Sequence, residues 1–277
     1  MNILRIAAFS DGSTGGNPAG VAIADALPSE ARMQTIAAEV GFSETAFAAR
    51  AGDGWRVRYF SPETEVPFCG HATIALGAAL ALNHGDGVYA LTLNDAQITV
   101  EGRRQGDVIS AALQSPPTRS ANASAGLIEE ALQLFGYRNE DVDFRIPAAR
   151  IHGGADHFVL ALRTREALSR MKYDLSAGRT FMKREGFVTV LLAHAENDRL
   201  FHTRNPFASG GVYEDPATGA ATAAFAGYLR DLQWPHGGAI DIVQGEDMGM
   251  RSRLHADISP TIGSSIRVSG TARLMND

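Results

Sequence analysis

The fold is decided by two similar stretches, PFCGHATIALGAAL at residues 67–80 and EDPATGAATAAFAGYL at residues 214–229. On a helix, each would be apolar on nearly every side, which predicts a buried helix rather than a surface one. A turn carrying polar groups precedes each stretch. Because the first turn of a helix has unpaired N–H groups and a partial positive charge, two such ends facing one cleft would suit a small anionic substrate.

Short predicted strands surround each of these helices in a similar order, which indicates two equivalent domains. We predict an α+β fold with two pseudo-symmetric domains, each a curled, mostly antiparallel, barrel-like sheet around a central helix. The predicted strands are 3–9, 19–24, 45–49, 55–60, 88–93, 97–100, 107–113, 157–162, 187–192, 200–204, 240–243, 253–258 and 265–274, with further helices near 28–40 and 124–135.

The best linker is the Pro- and Ser-containing segment at residues 114–120. It divides the chain into domains at 1–116 and 117–277. The last strand, at about residues 264–277, is a candidate to pair back with the first domain.

Composition limits the class of protein. The chain has 277 residues, 45% of them hydrophobic and 20% charged, with a net charge of −6. These values predict a soluble globular protein and argue against nucleic acid and anionic membranes as partners. No apolar run approaches the roughly 18 residues of a membrane span, and the N-terminus lacks the pattern of a signal peptide.

Cys69 is the only cysteine. It cannot form an internal disulfide, which fits the reducing cytoplasm, and we expect no thiolate zinc or iron–sulfur site. A helix N-terminus would lower the pKa of its thiol, but a mechanism that uses two thiols needs a second cysteine. We therefore interpret Cys69 as buried and inert. Because His152, His157 and His202 lack metal-ligand spacing, we predict no metal.

Glu44 is the first candidate catalytic residue. It lies at the mouth of an apolar strand between Phe42 and Phe47. A partly desolvated carboxyl can take and return a proton. The alternative is a solvent-exposed Glu at a strand edge, and on this segment alone that alternative is the commoner one.

His71 is the second candidate, at or beside the first turn of the first small-residue helix. Gly70 before it allows close approach of a ligand to the backbone. The imidazole could bind a carboxylate or oxyanion, or transfer a proton. A structural hydrogen bond at the helix start explains the residue equally well.

Asp215 precedes Pro216, and Asp at the N-cap with Pro at the first helical position is a common helix start. That explanation needs no function. The functional alternative is that Asp215 also holds a substrate amine or orients His71 across a cleft. We expect the neighbouring Glu214 to be exposed.

Four segments together resemble the PhzF family, which is named for the phenazine-biosynthesis isomerase. They are GGNPA at 15–19, SETAF at 43–47, PFCGHAT at 67–73 and EDPATG at 214–219. The resemblance implies a diaminopimelate-epimerase-like fold, an active site between the two domains, a homodimer and no cofactor.

The resemblance also implies roles for individual residues. Glu44 would be the acid/base group, His71 with Gly70 would bind and polarise a small carboxylic acid, and Asp215 would hold it from the other domain. The further substrate-binding candidates are Asn17, Thr73 and Gly219 in the matching segments, and Ala220 directly after the last segment.

One position departs from the family pattern, because Ala220 stands where the family commonly has a Ser whose hydroxyl lies in the site. A lost hydrogen-bond donor typically costs about 1 kcal/mol. We therefore expect a substrate other than the phenazine precursor itself.

Three functions remain open at this point. The first is a cofactor-free isomerase that shifts a proton within a conjugated acid, and the second is a racemase or epimerase of the same fold. The related cysteine-dependent epimerases carry a thiol on each of the two helices. In this chain Cys69 stands at one of these two places, and Pro216 stands at or near the other. Inversion would therefore need two different bases. The third is a small-molecule binder without turnover, and Glu44, His71 and Asp215 together favour an enzyme.

Overall fold

The computed structural model describes residues 2–275. Residues up to Gln114, together with those from Ser269 on, form one compact unit, and Ser115–Val268 form the other. None of the helices in the described range is both long and apolar enough to cross a membrane.

The first part of the chain alternates strands with two helices. Its elements are β1 (Leu4–Ala8), β2 (Asn17–Ala24), α1 (Glu30–Val40), β3 (Thr45–Ala51), β4 (Gly54–Phe60), β5 (Glu65–Val66), α2 (Gly70–His84), β6 (Gly87–Thr92), β7 (Gln97–Gln105) and β8 (Val108–Gln114). Helix α1 begins where Ser29 accepts a hydrogen bond from the Arg32 N–H, and it ends at Gly41, whose φ of 73° is left-handed.

The second part adds nine strands and four α-helices among the described residues. They are β9 (Arg119–Asn122), α3 (Ala125–Phe135), β10 (Ala149–His152), β11 (Asp156–Ala161), α4 (Arg165–Ser169), α5 (Leu175–Glu185), β12 (Thr189–Ala195), β13 (Leu200–Phe207), β14 (Val212–Asp215), α6 (Gly219–Asp231), β15 (Ala239–Gln244), β16 (Ser252–Asp257) and β17 (Arg267–Leu274).

Eight strands close into a barrel in the first unit, in the order β1, β2, β3, β4, β6, β7, β8 and β17. Strand β17 completes it by pairing antiparallel with β1, where Ala272 lies opposite Ala8. The β2–β3 and β4–β6 pairs are parallel, and the pairs from β6 to β8 are antiparallel. The barrel therefore draws its last strand from the C-terminal end of the chain.

Helix α2 packs against β1, β2, β7 and β8, and every residue from Gly70 to Ala81 is buried. Small side chains permit this burial because the backbones approach closely. A Cβ on Gly102 of β7 would lie 2.2 Å from the Gly77 carbonyl oxygen of α2. The prediction of a buried small-residue helix inside a curled sheet is confirmed.

The second unit repeats this plan. Its sheet pairs β9, β10, β11, β12, β13, β15 and β16 in that order, with β14 added on β13. Helix α6 packs against β9, β10, β11, β15 and β16, and most of its residues are buried. Helices α3, α4 and α5 contribute to a further apolar cluster that includes Leu132, Phe158, Leu168, Phe181 and Leu192.

The start of the second small-residue helix differs from the prediction. Asp215 is the last residue of β14, opposite Asn205 of β13, and Thr218 rather than Asp215 is the N-cap of α6. Pro216 consequently lies before the helix and not at its first position. Strand pairing at Asp215 outweighs the local Asp-Pro signal, because the residue remains extended.

Candidate active site

Glu44 and His71 lie against each other in the first unit. Glu44 immediately precedes β3, and its carbonyl accepts a hydrogen bond of 3.2 Å from the Gly20 N–H of β2. His71 is the second residue of α2. Glu44 Oε2 lies 3.3 Å from His71 Nε2, and the two side chains are only 10% and 6% exposed, respectively. The commoner alternative of a solvent-exposed Glu44 is wrong.

Two further groups contact the imidazole. The Cys69 Sγ atom lies 3.3 Å from His71 Nδ1, and the Ser43 Oγ atom lies 3.3 Å from His71 Nε2. The ring thus has a thiol at one nitrogen, and a carboxylate and a hydroxyl at the other. Such a ring can pass a proton from one side to the other or carry a positive charge against the carboxylate.

Sequence reasoning missed Ser43 as a member of this cluster and interpreted Cys69 as inert. Ser43 adjoins Glu44, and Cys69 is two positions from His71. Their closeness in sequence to the candidate acid/base residues was therefore the signal that could have indicated them. Which of them turn toward the ring depends on backbone geometry, which the pattern does not provide.

Thr73 fixes the start of α2. Its hydroxyl donates to the Cys69 carbonyl oxygen at 2.7 Å, so it accepts from the Tyr59 hydroxyl, whose oxygen is also 2.7 Å away. Burial raises the pKa of Tyr59, so the phenol keeps its proton for this bond. The Thr73 hydroxyl is thus engaged inside the protein, and substrate binding by Thr73 stays a prediction.

The first turn of α2 also contributes to the site. Cys69 is the N-cap residue, and its side chain makes no capping hydrogen bond. The partial positive charge at this helix end is therefore not offset by a cap from Cys69. Negative charge developing on a group beside His71 would be stabilised there.

Asp215 lies in the second unit and is 7% exposed. Its Oδ2 atom accepts a hydrogen bond of 2.5 Å from the Thr218 hydroxyl. Gln244 holds the same loop: its Nε2 donates to the Asp215 carbonyl at 2.7 Å, and its Oε1 accepts from the Thr218 N–H at 3.2 Å. Sequence reasoning did not find Gln244, because this residue lies outside the four matching segments and nothing around it in the sequence indicates a contact with Asp215.

Glu214, which the sequence suggested was exposed, is only 5% exposed. Its carboxylate pairs with the guanidinium of Arg204, with Arg204 Nε donating to Oε1 at 2.9 Å. Arg204 also donates to the Ser169 carbonyl at 2.8 Å. The expectation failed because a charged side chain can be buried when an opposite charge accompanies it.

The other predicted binding residues lie at element starts. Asn17 begins β2 opposite Ala8 and is 2% exposed. Gly219 and Ala220 are the first two residues of α6, the first buried and the second partly so. The structure thus brings Glu44 and His71 together, with Gly70 beside His71 at the start of α2. The joint action of Asp215, Asn17, Gly219 and Ala220 with them stays a prediction.

Comparison with known proteins gives one family over nearly the whole chain. The model of the PhzC-PhzF family, described as phenazine biosynthesis-like protein, matches residues 6–277. A Pseudomonas fluorescens protein named trans-2,3-dihydro-3-hydroxyanthranilate isomerase is 32% identical over 263 residues, which cover 92% of this chain and 89% of that protein.

Solved structures agree on the fold. A PhzF-family phenazine biosynthesis protein from Bacillus anthracis superposes with a TM-score of 0.86 at 22% identity, over 99% of this chain and 96% of that one. A probable proline racemase from Agrobacterium radiobacter K84 gives a TM-score of 0.66 at 10% identity, over 99% and 91% of the two chains. The predicted epimerase-like fold class is confirmed.

Proposed function

The chain belongs to the PhzC-PhzF family of phenazine biosynthesis-like proteins, and from that premise we propose that it is an isomerase that shifts a proton within a small carboxylic acid. Glu44 is the general acid/base in this proposal. The observation that carries it is the buried contact of 3.3 Å between Glu44 Oε2 and His71 Nε2.

The chemistry balances without a net gain or loss of protons. The Glu44 carboxylate removes a proton from a carbon activated by conjugation, and the electron pair left behind moves into the conjugated system. The protonated carboxyl then delivers the proton to another carbon of the same molecule. His71 and the N-terminus of α2 stabilise the negative charge in between, which is work suited to preorganised groups.

The substrate class follows from the relatives and from one residue. The Pseudomonas fluorescens relative is named for an isomerase acting on an unsaturated amino carboxylic acid, trans-2,3-dihydro-3-hydroxyanthranilate. We extend only the class, a small unsaturated or amino carboxylic acid, to this chain. Ala220 offers no hydroxyl, so a substrate that needs a hydrogen-bond donor there would be bound less tightly by about 1 kcal/mol.

A second candidate function is epimerisation, and the presence of the Cys69 thiol beside His71 favours it. Its sulfur lies 3.3 Å from His71 Nδ1 and 3.9 Å from His71 Nε2, and Glu44 Oε2 lies 3.3 Å from His71 Nε2. The thiol and the carboxylate are two different groups that can carry a proton, and inversion would require them to reach opposite faces of the substrate carbon. Product configuration separates the candidates, because a proton shift by Glu44 alone returns the proton to the same face.

The test of the proposal is the Glu44→Gln variant, assayed against a panel of small unsaturated and amino carboxylic acids. General acid/base groups contribute typically 10²–10⁴-fold, so we expect kcat/KM to fall by at least that range for any acid the wild type converts. Glu39→Gln is the matched control, because Glu39 is an exposed residue of α1 whose contact with Arg32 is 4.0 Å long.

A Glu44→Gln enzyme within tenfold of the wild type would overturn the acid/base role. Binding of an acid by the wild type that survives in Glu44→Gln, with no conversion by either protein, would instead show a non-catalytic binder. Circular dichroism and thermal unfolding of each variant establish that the fold is retained.

A further inference from the structure

The cluster around His71 contains three different donor atoms. Glu44 supplies a carboxylate oxygen, Cys69 a sulfur and His71 a ring nitrogen, and one such atom from each lies within 4.8 Å of the other two. All three residues are at most 9% exposed. Chain positions 44, 69 and 71 meet because the start of β3 and the start of α2 are neighbours in the barrel.

The spacing of these atoms is close to that of a metal-ligand set. A tetrahedral zinc ion with bonds of about 2.0–2.3 Å holds its ligand atoms about 3.3–3.6 Å apart. His71 Nε2 lies 3.3 Å from Glu44 Oε2 and 3.9 Å from Cys69 Sγ. The thiol, which is now nearer to Nδ1, has to rotate toward Nε2 to complete the set.

The donor types select the kind of cation. Sulfur and imidazole nitrogen suit zinc-class cations, whereas Mg²⁺ and Ca²⁺ require six or more oxygen ligands. Three protein ligands also leave a fourth position open, as in zinc sites that bind water or a substrate.

We propose that Glu44, Cys69 and His71 form a binding site for one thiophilic divalent cation, with Zn²⁺ as the type ion. The thiol loses its proton to solvent as the sulfur–metal bond forms, and no electron is transferred. Bound metal occupies the carboxylate and the imidazole together, so it blocks proton transfer by Glu44. The binding stands on the geometry alone, whereas the inhibition rests on the proposed function.

The prediction of no metal, which included no thiolate zinc site at the single Cys69, is opposed by this proposal. That prediction considered the spacing among His152, His157 and His202 and the number of cysteines. A site that combines one thiol with an imidazole and a carboxylate from another segment has no such spacing signal in the sequence.

Cobalt(II) is the probe that tests the binding, because it reports its ligands by absorption. Chelator-treated protein is titrated with Co²⁺, and Zn²⁺ is then added as a competitor. We expect one Co²⁺ per chain, a thiolate-to-cobalt charge-transfer band, visible absorption of tetrahedral intensity, and displacement of both by one equivalent of Zn²⁺.

The variants identify the ligands. Cys69→Ser abolishes the charge-transfer band and weakens Co²⁺ binding at least tenfold, and Glu44→Gln and His71→Gln each weaken it at least tenfold. The control is His255→Gln, since His255 contacts the carboxylates of Asp241 and Asp257 at 2.8 and 3.2 Å on an exposed surface without sulfur. It leaves the band and the affinity unchanged.

An absent charge-transfer band, unaltered Co²⁺ affinity in Cys69→Ser, or loss of the band in His255→Gln would overturn the metal site. A separate assay measures conversion of a substrate with and without one equivalent of Zn²⁺, followed by chelator. Loss of activity that the chelator restores supports the inhibition. Conversion that is unaffected by bound Zn²⁺ contradicts the inhibition, and Co²⁺ binding in a protein that converts no acid refutes only the proposed function.

Discussion

At the scale of single residues, the environment of His71 decides what Glu44 can do. The imidazole contacts both a carboxylate and a thiol, with Glu44 Oε2 at 3.3 Å from Nε2 and Cys69 Sγ at 3.3 Å from Nδ1. Removal from water strengthens such contacts, because little solvent remains to screen them. The 3.3 Å contact between Glu44 and His71 is therefore stronger than the same contact would be on an exposed surface.

Asp215 allows a direct test of the role that the resemblance implies. If its carboxylate holds the substrate, Asp215→Asn lowers kcat/KM about 10- to 100-fold, because a charge-assisted contact of about 1.5–3 kcal/mol is lost. Steady-state kinetics on any acid that the wild type converts measures the effect. Asp198→Asn is the control, since Asp198 is exposed. Equal activity of Asp215→Asn and the wild type would remove Asp215 from the mechanism.

His157 is a buried residue of the second unit whose protonation affects the stability of the fold. Thr189 donates its hydroxyl hydrogen to Asn205 Oδ1 at 3.2 Å, so it accepts from His157 Nδ1 at 2.8 Å. His157 Nε2 has no hydrogen-bond partner among residues 2–275. Burial lowers the pKa of His157 to about 3 from its usual 6.5, so the ring is neutral in the folded protein.

The pH dependence of stability follows from this difference. Between about pH 6.5 and 3 the unfolded chain binds a proton at His157 that the folded chain does not. The free energy of unfolding therefore falls with decreasing pH in this window, by up to about 1.4 kcal/mol per pH unit. Because His157→Gln removes this contribution, we expect a flatter curve of Tm against pH below 6.5.

Thermal unfolding of both proteins at several pH values measures the contribution as a difference between curves. The other titrating groups are common to both proteins and cancel in that difference. Parallel curves for the wild type and His157→Gln would contradict the assignment.

At the scale of elements, close packing of α2 inside the barrel depends on small residues. A Cβ on Gly102 would meet the Gly77 carbonyl at 2.2 Å and the Ala81 Cβ at 3.0 Å. The first of these is backbone and cannot rotate away. The helix must shift to accommodate a side chain at this point, and Gly70 and His71 would shift with it.

We therefore expect Gly102→Ala to lower the free energy of unfolding by about 1–3 kcal/mol or more, as overpacking does. Urea unfolding measures the change. Gly126→Ala is the control in α3, because a Cβ there meets nothing within 4 Å. It should be neutral or slightly stabilising, since Ala favours a helix over Gly. Equal losses for the two variants would refute the packing argument.

Local signals account for the elements that sequence reasoning found and for one that it missed. A helix near 124–135 was predicted, and in the structure Ser124 is the N-cap of α3, with its side chain accepting from the Leu127 N–H. Helix α5 was missed, although Asp174 caps its start and Gly186, with a φ of 75°, ends it. By contrast, the Asp-Pro signal at 215–216 was misleading, because pairing of β14 with β13 is a tertiary effect that no local pattern contains.

At the scale of the whole molecule, the pattern of strands and two small-residue helices was sufficient for the fold class. Helices α2 and α6 are buried because their side chains are small and apolar on every side, and this property is visible in the sequence. Closure of the first barrel by β17 was only suggested, since it joins parts of the chain more than 250 residues apart. A homodimer stays a prediction.

The site was predictable only in part, because contacts between distant parts of the chain are not visible in a local sequence pattern. Glu44 and His71 were found because their segments carry recognisable residue types in a recognisable order. Ser43 and Gln244 were not found, because their roles depend on which neighbour each side chain meets after folding. Contacts between distant segments determine which side chains meet in the site, whereas local sequence patterns determine the strands and helices that carry them.

The most direct test of Glu44 as the proton-transferring group is the rate at which substrate takes up deuterium from heavy water, followed by nuclear magnetic resonance. Because the protonated Glu44 carboxyl exchanges its proton with heavy water before returning it, the account predicts uptake at the carbon that loses the proton and at the carbon that gains it. It predicts this uptake in the wild type and in Glu39→Gln, and a rate at least 100-fold lower in Glu44→Gln. Uptake by folded Glu44→Gln at the wild-type rate would contradict it, because another group would then be removing the proton.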